Sequence, residues 1–138
     1  MKAIITVETT VQIPVEKTWE LWTKPEHITQ WNNATDDWHT PYAENDLRTG
    51  GKFLSRMAAK DGSVSFDFTG RCLTVKPNEQ IIYEIADGRQ VQISFTRVGN
   101  TTNIVESFEA EEIHSHDLQK GGWQSILNNF KKYAESNH

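Results

Sequence analysis

The feature of this sequence that most constrains its fold is a series of short alternating runs between residues 52 and 111, cut by turn residues at near-regular intervals. Asp61-Gly62, Lys76-Pro77-Asn78, Asp87-Gly88 and Val98-Gly99-Asn100-Thr101 separate the runs. An aspartate-glycine pair between two alternating segments signals a hairpin, because glycine takes up positive φ without steric cost. The pattern predicts strands over 52–59, 64–75, 80–86, 90–98 and 102–111. One earlier strand is predicted over 3–12, where Ile5, Val7, Thr9 and Val11 alternate with Thr6, Glu8, Thr10 and Gln12.

The rhythm changes at Ile13-Pro14, and proline is well placed at a helix start. Val15, Trp19 and Trp22 fall on one helical face, predicting a helix over 15–24 that stops before Pro25, which disfavours helical geometry in the residue before it. A second short helix over 25–30 delivers Trp31. Residues 32–50 read as a polar, irregular loop anchored by Trp38, Pro41 and Tyr42 and broken by Gly50-Gly51. Ser115 is a candidate N-cap, Asp117 suits the first turn, and Trp123, Ile126, Leu127, Phe130 and Tyr133 recur at helical spacing over 116–135. Hairpin-linked strands with segregated helices define an α+β architecture, without parallel βαβ units.

The 138 residues are expected to form one domain, 1–138, and a chain of this length buries roughly 68% of its unfolded surface without a disulfide or metal staple. A formal net charge of −5, with no basic run, argues against nucleic acid or an acidic membrane surface as partner. Cys72 stands alone, which excludes an internal disulfide and a cysteine-based metal site. Glu8 interrupts the N-terminal apolar stretch too early for a signal peptide, so the cytoplasm is the expected location.

Four segments carry a family resemblance. They are Val15-Glu16-Lys17-Thr18-Trp19-Glu20-Leu21-Trp22 with Pro25-Glu26-His27-Ile28 and Trp31; Asp46-Leu47-Arg48-Thr49-Gly50-Gly51-Lys52-Phe53 with Arg56-Met57; Asp61-Gly62 through Phe66-Asp67-Phe68-Thr69-Gly70; and Glu106-Ser107-Phe108-Glu109-Ala110-Glu111 with Gly122-Trp123-Gln124-Ser125-Ile126-Leu127 and Asn129-Phe130-Lys131-Lys132-Tyr133. In order and spacing they resemble the bacterial homologues of the activator of the heat-shock-protein-ninety ATPase, within the START-like (SRPBCC) superfamily. The resemblance implies a helix-grip (START/Bet v-like) fold, a curved antiparallel sheet around a long C-terminal helix enclosing an elongated apolar cavity. It does not imply one activity, since the superfamily holds lipid carriers, hormone receptors, aromatic cyclases and chaperone regulators. The eukaryotic activators carry a further N-terminal domain that this sequence does not contain, which ranks a chaperone partner behind a small hydrophobic molecule.

Nine large rings exceed what a small sheet-on-helix core needs, and some are therefore expected to wall a cavity. The candidates are Trp22, Trp31, Trp38, Phe53, Phe66 and Phe68, then Phe95, Phe108 and Trp123, with Met57 and Leu127 beside them. Gly121-Gly122, in the first turns of the last helix, allows either close helix–strand packing or room for a ligand. His114-Ser115-His116-Asp117 reads as a cap rather than a metal site, because two histidines straddling a cap diverge and no third ligand pattern joins them. No nucleophile elbow, phosphate loop or HExxH pattern is present, and no cofactor is implied.

Two residues remain as acid/base candidates, His39 and Glu106. Strict alternation puts Glu106 on the interior face with Ile104 and Phe108, where an unpaired carboxylate is costly. It pairs with Arg56, Arg71 or Arg97, meets a ligand group, or is turned to solvent by an edge strand or bulge. Asp67 should face away from Phe66 and Phe68, towards solvent, and Cys72 should be a buried, inert side chain. The leading expectation is a non-catalytic carrier or sensor, monomeric or homodimeric. A cyclase, dehydratase or hydrolase using Glu106 or His39 comes second, and a chaperone co-regulator third.

Overall fold

A computed structural model describes residues 3–136 of the chain. The chain opens with β1 (Ile4–Val11), then α1 (Val15–Thr23) and α2 (Pro25–Trp31). Lys24, held extended between them (φ −79°, ψ 130°), ends one helix and precedes Pro25 at the start of the next. Six strands follow in an unbroken meander: β2 (Trp38–Asn45), β3 (Lys52–Ala59), β4 (Ser65–Lys76), β5 (Gln80–Ile85), β6 (Gln90–Val98) and β7 (Thr101–Glu109). The long helix α3 (His116–Ser136) closes the chain, and the Ser115 hydroxyl accepts the Leu118 N–H at its start.

Among the described residues the sheet has seven antiparallel strands in the order β1-β7-β6-β5-β4-β3-β2, curled into a half-barrel. This is the helix-grip α+β architecture that the sequence predicts, with strand and helix limits within one to two residues of the expected ones. One element is a correction: the segment read as irregular contains β2. Its alternation is hidden by Pro41 and by a register shift between His39 and Tyr42. Proline lacks the ladder N–H and is confined to edge strands or bulges, and β2 is an edge strand.

The core lies between the concave face of the sheet and the helices. β7 shows the pattern best: Thr102, Ile104, Glu106, Phe108 and Ala110 are buried while their neighbours are only half-buried. α1 presents Val15, Thr18 and Leu21 inward, and α3 presents Leu127, Phe130 and Ala134. Thr18 is fully buried because its hydroxyl donates to Thr102, whose hydroxyl donates to the Ile13 carbonyl (3.1 and 2.9 Å). On the other face of the sheet Asp67 is exposed as expected, paired with Arg56.

Candidate ligand cavity

Between the sheet and the helices lies a cavity of about 280 Å³. Its wall on the sheet side begins at β3, where Phe53, Ser55 and Met57 alternate inward. Gly70, opposite Phe53 on β4, makes this possible: a Cβ there would lie 2.7 Å from the Phe53 ring and 2.2 Å from the Glu84 carbonyl oxygen. The ring therefore lies over the glycine, edge-on to Tyr83 at 4.8 Å. Phe66, Phe68 and Cys72 of β4, Ile81 and Tyr83 of β5 and Ile93 of β6 continue the wall. From the helices come Trp22, Ile28 and Trp31, and Trp123 and Ile126 of α3. Trp31 is fixed by its indole N–H, which donates to the Leu21 carbonyl at 3.0 Å. Trp123 is fixed by stacking on Phe108, with ring centres 3.9 Å apart. The cavity opens to solvent where exposed Phe66 and Glu44 border it.

Of the cavity residues expected from sequence, Trp22, Trp31, Phe53, Met57, Phe66, Phe68, Glu106 and Trp123 border this space, and four do not. Phe95 packs instead against Trp19 and Trp22 at the α1 end of β6. Phe108 is covered by the Trp123 ring. Leu127 is wholly enclosed in the core, and Trp38 lies on β2 behind Phe66. His39 also misses the cavity, because the bulge in β2 buries Thr40 and leaves its neighbour outside. Close packing does not explain Gly121-Gly122, since no atom lies within 4 Å of a Cβ built on either glycine. Tyr83 was missed, although it shares β5's inward face with Ile81 and Ile85 and alternation alone places it there. Glu44, Asn45 and Leu47 were missed with β2 and the turn after it.

Glu106 occupies the middle of β7, the strand next to the β1 edge, flanked by Val7 on β1 and Ile93 on β6. No bulge interrupts either ladder, so the side chain points inward and is 6% exposed. The three arginines considered for it are engaged elsewhere: Arg56 with Asp67 (3.0 Å), Arg71 with Glu84 (3.3 Å) and Arg97 with Glu16. Among the described residues none gives Glu106 a hydrogen bond or ion pair, and no fully buried polar atom is left unpaired. Its free oxygens are therefore those bordering the cavity. Burial, with no charged neighbour contributing, pushes the carboxyl from 4.5 up to about 8, so it holds its proton at neutral pH. Tyr83 is held far above its ordinary value by burial and by the nearby Glu106. Burial likewise raises the Cys72 thiol. Among the described residues no lysine, arginine or histidine borders the cavity.

A curled antiparallel sheet gripping one long helix around an aromatic cavity defines a helix-grip protein of START-like form. The chain belongs to the Activator of Hsp90 ATPase homolog 1-like family, whose model matches residues 12–135. The solution structure of an AHSA1-like protein from Aeromonas hydrophila superposes with a TM-score of 0.92 at 40% identity, over 97% of this chain and 93% of that one. A solution structure from Cytophaga hutchinsonii is 56% identical with a TM-score of 0.83, over 96% and 92% of the two chains. A crystal structure from Nitrosomonas europaea, 18% identical with a TM-score of 0.82 over 96% and 94%, shares the fold. Among curated proteins none matches. No helix of the described residues is long and apolar enough to cross a membrane.

Proposed function

We propose that this protein binds a small apolar or aromatic molecule in the cavity and acts as a non-catalytic carrier or sensor. The observation that carries this reading is an aromatic-walled space of about 280 Å³ with one unpartnered acid inside it, close to the size range of small-molecule sites. The experiment is fluorescence titration with the uncharged, environment-sensitive dye acdan, followed by displacement with fatty and aromatic compounds. Saturable binding that Trp123→Ala weakens severalfold supports the reading. Binding unaffected by that change, or no binding at all, refutes it.

The protonated carboxyl favours a second reading, an enzyme of cyclase, dehydratase or hydrolase type. A buried acid whose pKa lies near neutrality suits proton transfer to a bound substrate. Turnover of an aromatic polyketide-like substrate, lost in Glu106→Gln, would carry that reading over the first.

A further inference from the structure

The electrostatics of the cavity are one-sided. Among the described residues its lining holds one acid inside, Glu106, and no cationic side chain, while Glu44 borders the opening with its carboxylate beside Tyr42 and Arg56. The rest is largely aromatic, and the face of an aromatic ring carries the negative part of a quadrupole, which attracts cations and disfavours anions. Trp22, Trp31, Phe53, Phe68, Tyr83 and Trp123 supply such rings. Glu106 is 94% removed from solvent, unpartnered and directed into this box. A carboxylate or phosphate would find no positive charge there, and the Glu106 carboxyl, able to give it one hydrogen bond while protonated, would repel it once ionised.

We propose that the ligand is an apolar or aromatic molecule bearing a basic amine, seated with its ammonium group on the Glu106 carboxylate and its body among the aromatic rings. Anionic amphiphiles such as fatty acids are disfavoured by the missing cation and are repelled once Glu106 ionises. The inference rests on the cavity-binding reading above and narrows it to one ligand chemistry.

The proton balance follows from the empty state. Glu106 is neutral before binding, and the amine arrives as its ammonium ion. Forming the ion pair releases the carboxyl proton to solvent, while the amine keeps its own. Affinity should therefore rise with pH by close to tenfold per unit up to about pH 8, where the empty site ionises by itself, and then level off. The groups facing Glu106 do not reproduce this profile. Tyr83 on β5 and the Cys72 thiol on β4 both stay protonated through the range. Val7 on β1, Ile93 on β6, and Trp123 and Ile126 on α3 do not titrate. Arg89, the cation acting on Tyr83, is paired with Asp87. Glu44 lies at the opening on β2.

The test compares three probes that share one ring system: 1-naphthylmethylamine, 1-naphthalenemethanol and 1-naphthoate, titrated calorimetrically from about pH 6 to about pH 8. The expected result at the upper pH is an amine at least tenfold tighter than the alcohol, naphthoate without detectable binding, and proton release with the amine alone. In Glu106→Gln the amine should lose its advantage and its pH dependence while the alcohol binds as before, which also shows that the variant is folded. Naphthoate binding as well as the amine, or an amine advantage that survives Glu106→Gln, overturns the assignment. If the alcohol binds and the amine has no advantage, the ligand class is wrong and cavity binding stands. If none of the three binds, cavity binding fails and this inference with it.

Discussion

Replacing Glu106 by Gln should make the protein more stable at neutral pH, by an amount that depends on pH in a defined way. The carboxyl ionises near its ordinary 4.5 when unfolded and at about 8 when folded. Between those values the folded state holds a proton that the unfolded state has lost, so stability falls as pH rises through the window. The slope is about 1.4 kcal/mol per pH unit, and at pH 7 the accumulated loss is about 3 kcal/mol. Gln has nearly the same size, is neutral throughout, and carries none of this penalty. The assay is thermal unfolding of both proteins, followed by circular dichroism from pH 4.5 to 8.5. The melting temperatures should nearly coincide at the acid end, and the variant should lead by roughly 10 °C at pH 7. All other titrating groups are common to both proteins and drop out of the difference. A gap independent of pH would refute the argument. So would a wild type more stable at pH 7, since breaking a buried ion pair costs about 3–5 kcal/mol in the opposite direction.

Two further substitutions test the packing. Gly70→Ala should destabilise by about 1–3 kcal/mol, because its Cβ meets both the Phe53 ring and the Glu84 carbonyl, and should also weaken acdan binding as Phe53 is displaced; unchanged urea midpoint and dye affinity would contradict the cavity wall as described. Gly122→Ala should stabilise by about 0.5–1 kcal/mol, since the site is open and alanine is the better helix former; a lower midpoint would show that the glycine is required for packing.

The fold was legible because its signals are local. Aspartate-glycine turns and period-two alternation depend on neighbours in sequence, and Gly62 and Gly88 do take positive φ. Alternation pointed Glu106 inward but left an edge strand or a bulge open, and the unbroken ladders to β1 and β6 close off both. Alternation could not say whether an arginine waits opposite, because that depends on which strands become neighbours. Arg71 was a reasonable partner until β4 and β5 paired and set Glu84 directly across from it. The cavity was half legible for the same reason. A large ring at an inward position either lines a space or fills one, and what decides is the element lying above it. Phe68 and Phe108 both face inward, yet the Trp123 ring lies flat on Phe108 and meets Phe68 only at its edge, 6.5 Å away. β2 was hidden because its proline and bulge, the devices that suit an edge, also erase the period that betrays a strand.

The helices hold this sheet by its margins. α3 lies along β1, α2 covers β2, and α1 touches β6 and β7, while β3, β4 and β5 have no comparable helix packed against them. Those three strands cross the cavity as an arch supported at its ends. A guest molecule would then serve as the keystone, supplying from outside the apolar contact that the chain does not furnish for its own middle. In such a construction occupancy would stiffen the span rather than the abutments, and a ligand would become in effect the last residue of the core to be added.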